Sequence, residues 1–231
     1  VYFTHRKRKH NGPVSVGAYA DFDKNWKVVN INKGPLIPLG KPGAFDEYGT
    51  YPIWVIKNKH DFNMYYAGWT RPYGSVPFTI SIGKAKGDGT NFTKLSEGPY
   101  LTTTHNEPFL KGSMRAFIFN DKEYLFYMTG TKWIKFTKDY PYKPVYKIAL
   151  DGKLIIPGPQ NECQAGPDVH YKNGLYHMYF SFRDWDKANY RIGYAYSKDL
   201  KTWVRTDQVL PLSKHGWDSQ MHHYAHYFNG N

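Results

Sequence analysis

The sequence predicts an all-β chain, a five-bladed β-propeller partial at both ends. Three observations carry that expectation. The first is a recurring phrase: an aromatic pair, a small residue, then a polar or glycine break. It reads Tyr2-Phe3-Thr4, Tyr65-Tyr66-Ala67, Tyr179-Phe180-Ser181 and Tyr227-Phe228-Asn229, with Tyr127-Met128-Thr129 as a weaker copy. Subtracting the tyrosine positions gives spacings of 63, 62, 52 and 48 residues, the scale of a repeat architecture. The second is that each repeat holds two hairpins, and four strands make a propeller blade. The third is that no segment sustains a 3.6-residue apolar period, whereas Tyr-rich, β-branched runs alternate with turn residues.

The elements follow in chain order. Val16 to Ala20 leads through Asp21 to a strand over Trp26 to Val28. Thr50 to Lys57 and Phe62 to Trp69 flank Asn58-Lys59-His60-Asp61, a polar turn. Ile82 to Ala85 then leads through Gly87-Asp88-Gly89 to Phe92–Leu95. Arg115 to Phe119 and Tyr124 to Thr129 flank Asn120-Asp121-Lys122, and Tyr146 to Ala149 precedes Lys153 to Ile155. Asp168 to Tyr171 and Leu175 to Phe182 surround Lys172-Asn173-Gly174, the strongest turn signal of the chain. Ile192 to Ser197 runs on to Trp203-Val204-Arg205. The expected blades are a first remnant over 1–32, blade 2 over 43–97, blade 3 over 107–157, blade 4 over 162–207 and a fifth remnant over 216–231. Only Met221 to His226 precede the last aromatic phrase, too short for two strands. Blade edges left open by such a ring would favour self-association.

Composition narrows the function classes. The chain has 231 residues, 21 Tyr and a formal net charge of +12. No apolar stretch reaches the length of a membrane-spanning helix. No signal peptide is visible, and Val1-Tyr2-Phe3 already reads as the inside of a strand, so the natural N-terminus is expected upstream. A single cysteine, Cys163, excludes an internal disulfide framework and leans the chain towards a reducing, cytoplasmic compartment. The only dense basic run is His5-Arg6-Lys7-Arg8-Lys9-His10. It reads as a solvated turn or as a surface for an anionic partner. No nucleic-acid motif accompanies it, so nucleic acid is the weaker option.

Gly43-Ala44-Phe45-Asp46-Glu47-Tyr48-Gly49-Thr50-Tyr51-Pro52, the Gly-Pro-Asp-Val run at 166 to 169, and Ser197-Lys198-Asp199-Leu200 with Trp203 carry a family resemblance. The chain resembles the five-bladed propellers of the glycoside-hydrolase superfamily: arabinanases and xylosidases, invertases and levansucrases, and mannoside phosphorylases. It looks closest to their uncharacterised members. The resemblance implies a central funnel acting on glycosidic bonds. It also implies that Glu162, in the pair Glu162-Cys163, is the acid, and that Glu107, before Pro108, steadies the transition state. The segment that holds the family's nucleophile or base, before the first strand of blade 1, is absent, so Asp46 is expected to replace it.

The residues themselves offer acids in the loops entering successive blades: Asp46 and Glu47, Glu107, Glu162 with Asp168, and Asp218. Glycoside hydrolysis requires two carboxyl groups facing one bond. Asp168 stands at a strand start and reads as structural. Trp69, Trp133, Trp185 and Trp217 lie at equivalent ends, where indoles could stack on sugars or pack blades. Arg71, Arg115 and Arg183 could hold an anionic group or pair with the acids. His222-His223-Tyr224-Ala225-His226 does not gather metal ligands if extended, since neighbours alternate faces. No metal or cofactor is expected, with an axial ion left open.

The reading is therefore a carbohydrate-active enzyme that hydrolyses or phosphorolyses a glycosidic bond of an oligo- or polysaccharide, anionic ones included. Asp46, Glu107 and Glu162 are its expected catalytic set. Trp69, Arg71, Arg115, Trp133, Arg183, Trp217, Asp218 and His222 are its expected substrate contacts. The alternatives are a non-catalytic glycan-binding propeller and a basic module for an anionic polymer.

Overall fold

The computed structural model describes residues 1–9, 12–72, 76–135 and 142–227. The side chains of Lys7 to Lys9, and His10 entire, lie outside the described residues, as do Phe228 and Asn229 of the last aromatic phrase. Among the described residues every regular element is a strand. The chain divides into two units. Unit 1 comprises Val1–Thr103 with Leu110–Gly112, and unit 2 comprises Thr104–Phe109 with Ser113–Asn231.

Unit 1 is built on β1 (Tyr2–Lys9), β2 (Gly12–Phe22), β3 (Val28–Asn32), β4 (Gly49–Lys57), β5 (Phe62–Thr70), β6 (Thr79–Gly87) and β7 (Phe92–Lys94). The sequence expectation of separate blades 1 and 2 differs here. Parallel pairing of Ser15 with Gly49 and Val16 with Thr50 joins them into one seven-stranded sheet. Trp26 is not in a strand. It sits at φ 61° in a turn, 67% exposed, while the Asp23 carboxylate accepts the amides of Asn25 and Lys27. Met64, Tyr66, Ala85 and Phe92 pack with Leu36 and Ile37 as the core of this unit.

Unit 2 carries two four-stranded sheets. One is β8 (Lys111–Phe119), β9 (Lys122–Lys135), β10 (Tyr142–Leu150) and β11 (Lys153–Leu154), in the order β11-β10-β9-β8; its strand β8 begins in unit 1. The other is β12 (Glu162–Lys172), β13 (Leu175–Asp184), β14 (Arg191–Ser197) and β15 (Trp203–Val209), in sequence order. Three of the hairpin turns have two consecutive residues at positive φ: Asn120-Asp121, Asp151-Gly152 and Asn173-Gly174. That geometry matches the right-handed twist of the flanking strands and favours Asn, Asp and Gly.

Strand alternation decides what the second sheet buries. Val169, Met178, Phe180, Ala195 and Trp203 point to one face and pack with Phe126, Ile148 and Leu150. Full burial of each large apolar chain there contributes about 1.5–3 kcal/mol. The opposite face carries His170, His177, Tyr179, Tyr194 and Tyr196, all half-buried. The registers Asp168↔Tyr179, His170↔His177, Tyr179↔Tyr194 and His177↔Tyr196 put these side chains together.

Two further strand assignments differ from the sequence expectation. β12 starts at Glu162, not at Asp168, and accommodates the difference by an irregularity between Ala165 and Asp168. Glu162 therefore stands in a strand rather than a loop. Residues 221–227 form no strand, so the alternation argument for the histidines does not apply. They bond instead to the β12–β13 hairpin: the Tyr224 amide donates to Ser181 Oγ on β13, and the Tyr227 amide donates to Asp168 on β12.

Candidate functional site

The acids singled out from the sequence each have protein partners. In unit 1, Asp46 lies in the connection before β4 and is 1% exposed. Lys94 Nζ, on β7, is 2.6 Å from its Oδ2, and the Tyr66 hydroxyl, on β5, donates to the same oxygen at 3.0 Å. Burial and the neighbouring Asp46 charge push the Tyr66 phenol well above its ordinary value. Both partners come from strands beyond β4 in the sheet order β4-β5-β6-β7. Asp46 thus reaches along the sheet towards its β7 edge.

Unit 2 repeats this arrangement. Both Glu107 oxygens accept from the Tyr127 hydroxyl, at 3.1 and 3.0 Å, and that hydroxyl accepts the Gly152 amide. Glu162 is held by Arg205 from the edge strand β15. Arg205 Nη1 is 2.7 Å from Oε1 and Nη2 is 2.9 Å from Oε2, a bidentate pair. The Gln164 amide donates to Oε1 at 2.9 Å. The Arg205 guanidinium also lies over the rings of Phe180 and Phe182, at 5.2 and 4.8 Å. A general acid must present a protonated oxygen to its substrate, and here both oxygens of Glu162 are occupied by donors.

Asp168 is different in kind. It lies on the edge strand β12, and Arg115 on the edge strand β8 places Nη1 2.9 Å from its Oδ1. Arg115 also donates to the Val169 carbonyl. His226 Nδ1 is 3.6 Å from the same carboxylate, and the Tyr227 amide donates to the other oxygen. Burial alone would raise the Asp168 carboxyl; the His226 contact, Arg115 and the Tyr227 amide outweigh it and hold the group below its usual range. Burial lowers the Arg115 guanidinium, against the opposing pull of Asp168. Gly166, at φ +57°, is required here, because a Cβ would stand 2.7 Å from the Tyr224 ring.

The remaining expected contacts have these surroundings. Trp69 lies flat on Gly49, where a Cβ would come within 1.9 Å of the indole, and Arg71 covers Tyr48 at 4.9 Å and Trp69 at 5.7 Å. Trp133 sits within β9 opposite Pro144. Arg183 donates to the carbonyls of Asp184, Trp185 and Lys187 and to the Tyr146 hydroxyl, which is bonded to that of Tyr190. Trp217 is 95% exposed and has no ring partner among the described residues. Asp218 accepts from Ser213 Oγ at 2.7 Å and lies 3.4 Å from His222 Nε2. His223 stacks between Tyr190 and Tyr224, and burial beside Arg183 lowers it to about 4. Among the described residues no three His, Cys, Asp or Glu side chains gather as a metal site.

The sequence reading missed the face made by His170, His177, Tyr179 and Tyr194. Its signal was present: Asp168-Val169-His170-Tyr171-Lys172 and Tyr176-His177-Met178-Tyr179-Phe180 alternate polar-aromatic with apolar residues at period two.

No protein-family model matches the chain. The uncharacterised protein Rv1502 of Mycobacterium tuberculosis is 25% identical over 241 aligned residues, which span 99% of this chain and 79% of that protein. Among solved structures, an RGII complex of BT0996 superposes with a TM-score of 0.63 at 14% identity, covering 97% of this chain and 79% of its own. A glycoside hydrolase superposes with a TM-score of 0.63 at 15% identity, covering 96% and 77%. A thermostable family-43 glycoside hydrolase gives 0.58 at 16% identity, covering 90% and 73%. The likeness establishes the fold, that of the propeller glycoside hydrolases which the sequence resembles.

Proposed function

We propose that this chain is a five-bladed propeller, divided as the repeats suggest, which cleaves a glycosidic bond of an oligo- or polysaccharide. The observation that carries this reading is the superposition on a glycoside hydrolase across 96% of the chain. The similarity to BT0996 in its RGII complex supports a saccharide as the ligand.

Hydrolysis needs one carboxylate that stays ionised and one that delivers a proton. Asp168 is the best-equipped candidate for the ionised role, since Arg115 and the Tyr227 amide stabilise its charge at a strand edge. Asp46, Glu107 and Glu162 form the set assigned from the sequence, with Glu162 as the acid. Arg115 and Arg183 would orient the sugar in either assignment. The two assignments separate cleanly. Asp168→Asn and Asp46→Asn are compared on a panel of aryl glycosides, each normalised to folded protein. Loss of turnover in Asp168→Asn with turnover kept in Asp46→Asn supports Asp168. The reverse outcome restores the sequence assignment.

A second reading, glycan binding without cleavage, is favoured by one specific observation. Asp46 is engaged by Lys94 and Tyr66, and Glu162 by Arg205. It prevails if the wild-type chain binds oligosaccharides but turns over none of the panel.

A further inference from the structure

The polar-aromatic face of the β12–β15 sheet encloses a cleft of about 590 Å³, within the range of small-ligand sites. Tyr179 and Tyr194 line it, at a ring separation of 5.4 Å. The Tyr194 hydroxyl is bonded to His177 Nδ1 at 2.6 Å, which fixes that ring and leaves its face as the available surface. Tyr227, stacked on His170 at 3.8 Å and 6°, lines the cleft too, along with Gln208 and Pro211. The hydroxyls of Tyr179 and Tyr227 and the ammonium of Lys172 have no protein partner among the described residues. Among the described residues no carboxylate lines the cleft.

We propose that this cleft binds an acidic saccharide, its pyranose ring on Tyr194 and Tyr179 and its carboxylate on Lys172. The chemistry of the walls selects this class. Sugar rings present apolar C–H faces that pack on aromatic faces. Free phenol hydroxyls serve the equatorial hydroxyl groups. Among the described lining residues Lys172 is joined only by uncharged and imidazole side chains, which favours an anion over a neutral ring. Neither Asp168 nor Arg115 lines this cleft. The inference rests on the glycan-acting reading only for its choice of ligand class.

The test is calorimetric titration of the whole chain with methyl β-D-glucuronoside and with methyl β-D-glucoside. The glucuronoside is expected to bind about tenfold tighter, the worth of one charged contact. Lys172→Gln, an exposed substitution that leaves the fold alone, should remove the difference between the two probes. Tyr194→Ala should weaken both. Equal binding of the probes, a preference that survives Lys172→Gln, or no binding at all overturns the proposal. Turnover of aryl glycosides is measured in parallel. Turnover without cleft binding refutes this inference alone, while cleft binding without turnover refutes the hydrolase reading alone.

Discussion

Replacing Glu162 by glutamine decides whether that residue is scaffold or catalyst. The substitution keeps the side chain's shape and removes its charge. It leaves Arg205, whose side chain is only 20% accessible, beside a neutral amide on the face of β13. Two unit charges about 4 Å apart attract by about 4 kcal/mol at the effective dielectric of a protein surface. Breaking a buried pair by removing one partner typically costs about 3–5 kcal/mol, because the other charge stays behind. Residual solvent around Arg205 argues for the lower end, about 3 kcal/mol. In a domain of this size each kcal/mol moves the melting temperature by about 2–4 °C, so a fall of about 6–12 °C is expected. Thermal unfolding followed by fluorescence reads it directly, since Trp203 belongs to the same core. The double variant Glu162→Leu with Arg205→Met removes both charges and should recover most of the loss. If Glu162→Gln melts within about 1 °C of wild type while turnover falls by about a hundredfold or more, the residue is a catalyst and the structural argument is wrong.

Three other expectations follow from the same contacts. Tyr127→Phe removes the hydroxyl that both Glu107 oxygens accept, leaving a buried carboxylate short of a donor; a loss of about 1–3 kcal/mol in urea unfolding is expected. His223 is held down to about 4 by burial and Arg183, so the unfolded chain takes up its proton first as pH falls. Its stabilising contribution is complete above about pH 6.5 and is lost progressively towards pH 4. Melting temperatures at intervals across that window should decline in wild type and decline less in His223→Phe. Gly166→Ala places a methyl against the Tyr224 ring at a positive-φ position, and should release residues 221–227 to limited proteolysis while the core strands stay protected.

Much of this fold was legible because it depends on local rules. The hairpin over Asn173-Gly174 announced its own turn, and the two-residue period of β13 separated Met178 and Phe180 from His177 and Tyr179. The partners of the acids were not legible in the same way. Arg205 lies 43 residues from Glu162, and Lys94 belongs to a strand three places along the sheet from β4. Local propensity says nothing about which distant cation a carboxylate will meet. The irregularity between Ala165 and Asp168 was also hidden, and it moved Glu162 from the expected loop into a strand. Trp26 failed for a smaller reason: Asp23 caps a turn that its β propensity argued against.

The repeat that identified the fold also constrains which acid can be special. Tyr66 follows Asp46 by 20 residues, and Tyr127 follows Glu107 by 20. At the same offset from Glu162 stands Phe182, with the Arg205 guanidinium over its ring. Lys94 and Arg205 each stand two residues after an aromatic, Phe92 and Trp203, that opens its edge strand. Two of the three acids thus accept from a tyrosine twenty residues on, and two pair with a cation of an edge strand. Recurring partners of this kind are what a scaffold requires. A reaction centre needs asymmetry, because one bond is cleaved by groups in unlike roles. Asp168 supplies it. Six residues after Glu162 it is an acid, whereas the positions six after Asp46 and Glu107 are Pro52 and Ser113. The carboxylate without a counterpart is also the one held at the edge of its sheet by Arg115, and both observations support the ionised role proposed for it.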